Sequence, residues 1–167
     1  MSVLIFIDTA EGHVKKVSHE VLSYGAKVAE QLGTTAEAIV LGAVSDDLTS
    51  LGKYGVKKIH HVANDTLNNL DAQVYTKVIA QVAAACNAKL IIFSNNLNGK
   101  AIAPRLSVRM KAGLVAGAVA LPDTSNGFVV RKNVFSGKAF ANIAVSTDVK
   151  IIALNPNAFQ VITGEGL

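Results

Sequence analysis

Short apolar runs alternate with helix-like segments along the first 110 residues of the chain. Residues 3–7, 36–41 and 90–93 are nearly continuous apolar runs, which predict strands buried on both faces of a sheet, and residues 56–62 form a further predicted strand. Residues 17–32, 72–86 and the segment after Lys100 carry apolar residues at three- and four-residue spacing, which predicts amphipathic helices. This alternation favours a parallel sheet with helices on both faces.

Polar and glycine residues mark where the helices begin and end. Ser18 is predicted to cap the first helix, and Gly33 is predicted to end it in a left-handed conformation. Gly25 inside this helix costs about 1 kcal/mol relative to alanine, so we expect a close approach of helix to sheet there. A short helix is predicted at 46–51 and closed by Gly55, and Asp71 is predicted to cap the helix that follows.

The pattern changes after Met110, because no helical segment separates the remaining apolar runs. These runs are residues 114–121, 128–134, 139–145 and 150–154. They predict hairpins or antiparallel strands added to one edge of the sheet. The predicted fold is therefore a three-layer α/β/α domain over residues 1–159, with a mainly parallel sheet. Residues 160–167 have no core pattern and are interpreted as the start of an interdomain linker or tail.

Composition narrows the classes of function. Charged residues make up 17% of the chain, below the usual quarter, which favours a surface partly covered by a partner or by a second copy. The net charge of +4 is scattered, so no nucleic-acid-binding arm is predicted. No apolar stretch approaches the ~20 residues of a membrane span, and the first residues do not resemble a signal peptide.

The single cysteine, Cys86, excludes an intramolecular disulfide and is compatible with a cytosolic protein. It lies in an apolar helical segment, so we expect a small buried side chain rather than a catalytic thiol. His60 and His61 are neighbours on a predicted strand and therefore face opposite sides of the sheet, which argues against a shared metal ion. No Ser-His-Asp arrangement or pair of carboxylates stands out, and no catalytic site is predicted.

The segment from Ser94 to Lys100 is a polar loop after a buried strand, where open α/β sheets place their binding crevice. Asn95, Asn96, Gly99 and Lys100 are therefore candidates for contact with a small molecule or an anion. The spacing does not match a P-loop. Arg105 follows Pro104 near the predicted helix start. It is a further candidate, and a structural ion pair with a carboxylate, either within the domain or across an interface, is the interpretation we favour for it.

Four segments resemble, in order, those of the electron transfer flavoprotein alpha subunit. Residues 99–110, followed by Gly113-Leu114-Val115, resemble a signature segment of that family. The other three are residues 51–59, 134–139 and 149–159. The resemblance covers nearly the whole chain, and the order of the four segments makes it more specific than any one of them.

The resemblance implies a non-enzymatic subunit of an electron carrier. Members pair with a beta subunit, which in many cases holds AMP, and carry one FAD, chiefly in a carboxy-terminal domain that this chain does not reach. They take electrons from flavin dehydrogenases such as acyl-CoA dehydrogenases and pass them to a membrane quinone reductase. Their amino-terminal domain has an adenine-nucleotide-hydrolase-like fold, and its implied role here is that of a scaffold and beta-subunit docking domain.

The implied location is the cytoplasm of a bacterium, or the mitochondrial matrix in a eukaryote. The alternative hypothesis is a self-contained module of the universal-stress-protein type. It rests on the same fold class and on the Ser94–Lys100 loop, and it predicts saturable binding of ATP or AMP.

Overall fold

The apolar runs form the centre of one eight-stranded sheet in a computed structural model that describes residues 1–164. The strands are β1 Ser2–Ile7, β2 Thr9–Ala10, β3 His13–Val14, β4 Thr35–Leu41, β5 Lys58–Val62, β6 Ala88–Ser94, β7 Gly113–Ala118, β8 Val129–Val134, β9 Ala139–Ala144 and β10 Lys150–Leu154. The helices are α1 Lys16–Gln31, α2 Ala72–Ala85 and α3 Leu97–Met110, with 3-10 helices at Leu48–Tyr54 and Asp65–Leu67.

The order across the large sheet is β5-β4-β1-β6-β10-β7-β8-β9, and β2 and β3 form a small separate hairpin. The strands from β5 to β7 in this order are parallel, whereas β8 pairs antiparallel with β7 and with β9. The predicted fold class, a mainly parallel three-layer domain with an antiparallel hairpin in its last third, is confirmed. The prediction for residues 150–154 is wrong, because β10 is an interior strand that lies parallel between β6 and β7. Its four apolar residues are fully buried, as an interior position requires.

Helices cover both faces of the sheet. Every residue of β1 is buried, and its side chains alternate between two cores. Val3, Ile5 and Ile7 pack in the core under α1, whereas Leu4 and Phe6 pack in the core under α2 and α3. The central strand therefore needs apolar residues at every position, which explains its continuous hydrophobic run.

Three of the predicted helix boundaries, at Gly33, Gly55 and Asp71, are confirmed, and so is a close contact of α1 with the sheet. A β-carbon on Gly25 would lie 2.3 Å from Cδ1 of Ile5, so the expected close approach of α1 to the sheet is confirmed, and a larger residue would force Ile5 to shift. Gly33 has a φ of 66° and Gly55 a φ of 105°, both left-handed as expected for helix ends. Asp71 caps α2, accepting hydrogen bonds from the backbone N–H groups of the first two residues after Ala72.

Three local predictions are wrong. Ser18 does not cap α1, which begins at Lys16; its Oγ instead accepts a hydrogen bond from the N–H of Asp8 at 2.9 Å and donates one to the Asp8 carbonyl at 3.1 Å. The short helix lies at Leu48–Tyr54 rather than 46–51, because Asp47 supplies its capping oxygen to the N–H of Thr49. Cys86 is only partly buried, since it follows the last turn of α2.

Residues 160–164 run along the outside of α1 in an extended path. Ser23 Oγ donates to the carbonyl of Ile162 at 3.1 Å and accepts from its N–H at 2.9 Å. The N–H of Gly164 donates to the carbonyl of Lys53 at 2.6 Å. This segment therefore rests on α1 and the first 3-10 helix. The remaining residues assigned to the tail, 165–167, lie outside the described part.

Candidate functional site

The segment from Ser94 to Lys100 lies at the carboxyl end of β6, as predicted, but only its first part is a loop. α3 begins at Leu97, so Gly99 and Lys100 belong to its first turn. Asn96 is the N-cap, and its Oδ1 accepts a hydrogen bond from the N–H of Gly99 at 3.0 Å. A β-carbon on Gly99 would lie 1.8 Å from the carbonyl oxygen of Ser94. Glycine is required there so that the helix can start directly against the strand.

The centre of this edge is a buried carboxylate that the sequence reasoning missed. Asp8 follows β1, and its side chain is only 6% exposed. Its Oδ2 accepts from Asn96 Nδ2 at 2.7 Å and pairs with Lys15 Nζ at 3.0 Å, and its Oδ1 accepts from Asn98 Nδ2 at 2.9 Å. We call Asp8, Lys15, Asn96 and Asn98 the Asp8 cluster. It joins the end of β1 to the start of α3 across the point where the strand order reverses.

The other loop candidates are turned away from the Asp8 cluster. Asn95 donates its N–H to the carbonyl of Leu154 at 2.7 Å and its Nδ2 to Asn155 Oδ1 at 3.0 Å, so it ties β6 to β10. Lys100 is exposed on the first turn of α3. Within residues 1–164, Ser94 Oγ is the one fully buried side-chain oxygen or nitrogen without a hydrogen-bond partner.

The cavity beside Asp8 is small. Its volume is about 50 Å³, and Asn98 and Tyr75 form part of its wall. Sites for small molecules usually enclose about 300–1,000 Å³. Burial, and secondarily the negative charge of Asp8, raises the pKa of Tyr75, so its hydroxyl stays neutral. The space beside Asp8 is therefore too small to enclose a flavin or an adenine nucleotide.

α3 presents an apolar stripe to solvent. Leu97, Ala101, Pro104 and Val108 follow one another at spacings of four, three and four residues, so they share one helix face. Leu97 is 84% and Val108 81% exposed. We call these four residues the α3 stripe. The same spacing is present in the sequence, beside that of the buried residues Ile102 and Leu106.

Arg105 lies beside the α3 stripe rather than at a helix start. Pro104 is in the middle of α3, and Arg105 is exposed next to it. No carboxylate of residues 1–164 forms a salt bridge with Arg105, so the ion pair is not made within the described domain, and a pair across an interface stays a prediction. Together with Val108 and Arg109 it lines an open depression of about 420 Å³ between α2 and α3. The stripe is thus flanked by cationic side chains.

The chain matches the family described as the electron transfer flavoprotein domain over residues 3–166. It belongs to the electron transfer flavoprotein family. Protein FixB of Clostridium saccharobutylicum is 26% identical over 98% of this chain and 50% of its own length. The electron transfer flavoprotein subunit alpha of Syntrophomonas wolfei is 27% identical over 94% of this chain and 49% of its own. The chain therefore spans about half the length of these curated relatives.

A solved structure, the universal stress protein of Archaeoglobus fulgidus, is similar with a TM-score of 0.44 and 15% identity, over 65% of this chain and 87% of that one. A likeness at this level does not bear on function. Among the described residues, no helix is both long and apolar enough to cross a membrane.

Proposed function

We propose that this chain is the amino-terminal domain of an electron transfer flavoprotein alpha subunit and that it docks a beta subunit through the α3 stripe. The observation that carries the proposal is the family match over residues 3–166 by a chain half as long as its alpha-subunit relatives. A scaffold needs a contact surface rather than a catalytic group.

The α3 stripe supplies such a surface. Large apolar side chains exposed in a contiguous row on a helix mark interaction sites in soluble proteins. The stripe runs from Leu97 to Val108, a distance of about 17 Å along the helix axis. Arg105 and Arg109 flank it, and cationic rims steer partners that carry acidic side chains. The stripe also lies in the segment whose sequence most resembles the family signature.

The flavin belongs elsewhere in this proposal. The carboxyl-edge crevice is occupied by the Asp8 cluster and encloses only about 50 Å³. We derive no electron-transfer step through this domain alone. In the complete electron carrier, flavin dehydrogenases such as acyl-CoA dehydrogenases would be donors and a quinone reductase the acceptor. The bacterial origin of the relatives favours the cytoplasm.

The test is binding to a recombinant electron transfer flavoprotein beta subunit by pull-down and calorimetry. Val108→Glu should weaken binding at least about tenfold, because an unpaired buried carboxylate costs more than ~1.4 kcal/mol. Phe140→Glu is the matched control, since Phe140 is an apolar residue 60% exposed on the edge strand β9. No association of the native chain at micromolar concentration would contradict the docking role. If Phe140→Glu lost binding and Val108→Glu did not, the interface would have to lie on the β8–β9 hairpin instead.

An absorption spectrum of the purified chain separates the remaining possibilities. We expect a colourless protein that releases no nucleotide on heating. A flavin band would show that this domain holds FAD itself. Released AMP or ATP would instead support the universal-stress-protein type of module.

A further inference from the structure

A second polar cluster lies near the amino ends of β4 and β5, away from the Asp8 cluster. It consists of Glu37 on β4, His60 on β5 and Cys86 directly after α2. One donor atom of each residue lies within 4.8 Å of the other two. His60 Nε2 donates a hydrogen bond to Glu37 Oε1 at 2.8 Å. All three side chains are partly buried, so the cluster is held by the fold and is open to solvent on one side.

Strand register explains why these side chains meet. His60 lies opposite Ile39 in the parallel β4–β5 pair, and Glu37 is two residues before Ile39. Because strand side chains alternate, Glu37, Ile39 and His60 point to the same face. Ile39 packs in the core beneath α2, so this face carries the end of that helix and with it Cys86.

The position of Cys86 is fixed from the other side by β1. Ser2 Oγ lies 3.2 Å from the carbonyl oxygen of Cys86 and 3.7 Å from its Sγ, as a donor to each. The sulfur thus has a supporting partner of the kind that orients metal ligands. Three separate elements position three donor atoms, which is what a pre-organised coordination site needs.

The donor set selects a class of metal ion. A thiolate, an imidazole and a carboxylate are the ligands of Zn²⁺, whereas Mg²⁺ and Ca²⁺ require oxygen ligands. Bond lengths of about 2.0–2.3 Å place the ligand atoms of a tetrahedral zinc ion roughly 3.3–3.8 Å apart. In the structure, His60 Nε2 and Glu37 Oε1 are 2.8 Å apart, and no two of the three donor atoms are more than 4.8 Å apart. Side-chain movements of about one ångström would therefore bring the three atoms to the spacing that a zinc ion requires.

We propose that Glu37, His60 and Cys86 form a three-ligand Zn²⁺ site, with a water molecule completing the coordination. Binding releases the thiol proton of Cys86 to solvent, and the ring proton of neutral His60 moves from Nε2 to Nδ1, which leaves the Nε2 lone pair for the ion. The ion ties the outermost strand β5 to β4 and to the end of α2. This assignment does not rest on the docking role.

The neighbouring histidine provides an internal control. His61 follows His60 on β5 and therefore faces the other side of the sheet. Its Nε2 donates to the carbonyl of Gly42 at 2.6 Å, and it has no part in the cluster. Replacing His61 removes an imidazole from the same strand but leaves all three proposed ligands in place.

The test is a titration of the reduced, metal-free chain with Co²⁺, followed by displacement with Zn²⁺. We expect one equivalent of Co²⁺ to produce visible d–d bands and a thiolate-to-cobalt charge-transfer band, and Zn²⁺ to abolish both. Cys86→Ser should lose the charge-transfer band. His60→Gln should weaken binding at least about 100-fold, the upper range for loss of even a supporting partner. His61→Gln should leave both spectrum and affinity unchanged.

A second measurement uses the native chain alone and so does not depend on the folding of a variant. One equivalent of Zn²⁺ should slow alkylation of Cys86 by N-ethylmaleimide, and a chelator should restore the rate. Absence of the charge-transfer band together with unchanged alkylation would overturn the proposal. So would a spectrum that survives in Cys86→Ser or that His61→Gln abolishes as fully as His60→Gln.

Discussion

Replacing Asp8 with asparagine tests whether the Asp8 cluster holds the carboxyl edge together. The wild-type carboxylate accepts from Asn96, from Asn98 and from Lys15. Asparagine offers a single acceptor oxygen. In the Oδ2 position that oxygen can still accept from Asn96, but Asn98 then keeps only its longer contact of 3.2 Å, because an NH2 group replaces the oxygen that it reaches at 2.9 Å. The side chain of Lys15 is about one third exposed, so its ammonium group can bind water instead of the carboxylate. No loss of stability is therefore counted for the Lys15–Asp8 pair.

The magnitude follows from the remaining contacts. The lost contact of a partly buried donor costs about 1–3 kcal/mol, and exchanging a charged acceptor for a neutral one weakens the remaining bonds by about 1 kcal/mol. We therefore expect Asp8→Asn to lower the free energy of unfolding by about 2–4 kcal/mol. With a urea m-value of about 2 kcal/mol per molar, the unfolding midpoint should fall by about 1–2 M.

The assay is urea unfolding followed by circular dichroism. Asp148→Asn is the matched control, because Asp148 also pairs with a lysine, Lys89 at 2.9 Å, but is 80% exposed. That control should leave the midpoint unchanged. A loss in Asp8→Asn below about 0.5 kcal/mol, the usual range for surface substitutions, would refute the role assigned to the cluster.

Three further changes test other parts of the fold. Gly25→Ala should destabilise the chain by about 1–2 kcal/mol in urea unfolding, because overpacking against Ile5 outweighs the gain in helix propensity; a stabilised variant would contradict the close approach. Asp71→Ala should cost about 1 kcal/mol through loss of the α2 cap, and an unchanged midpoint would show that the cap is dispensable. Burial, and secondarily the charge of Lys53, holds the pKa of His19 below 6.5. The unfolded chain therefore binds this proton more readily, and stability should fall as the pH drops below about 6.5. His19→Gln should reduce that fall, and identical pH profiles of variant and wild type would contradict the assignment.

The layers of the fold could be predicted from the sequence because strands buried on both faces need apolar residues at successive positions. β1 and β6 lie between two cores and therefore read as unbroken apolar runs. The position of β10 could not be predicted in the same way. Its apolar run shows that it is interior, but strand order depends on which neighbours it pairs with, and no local pattern records that.

The sequence predicted where the candidate site lies but not the residue at its centre, Asp8. A polar loop after a buried strand identified the edge around Asn96 and Gly99. Asp8 was missed because its partner Asn98 is 90 residues away in the chain. The rule that strand ends meet at one edge could have found it, since Asp8 is the first residue after β1. The helix start was placed too late because its cap, Asn96, lies among other polar residues.

The Asp8 cluster also bears on how the domain could serve an assembly. In open α/β sheets the carboxyl edge is commonly the place where a ligand enters and loops adjust around it. Here the same edge is locked by side chains from β1 and α3. The α3 stripe begins at Leu97, directly after Asn96, which is both the N-cap of α3 and a member of the Asp8 cluster. The cluster therefore fixes the orientation of α3 relative to the sheet. A partner that binds α3 would therefore be held in one orientation relative to this domain.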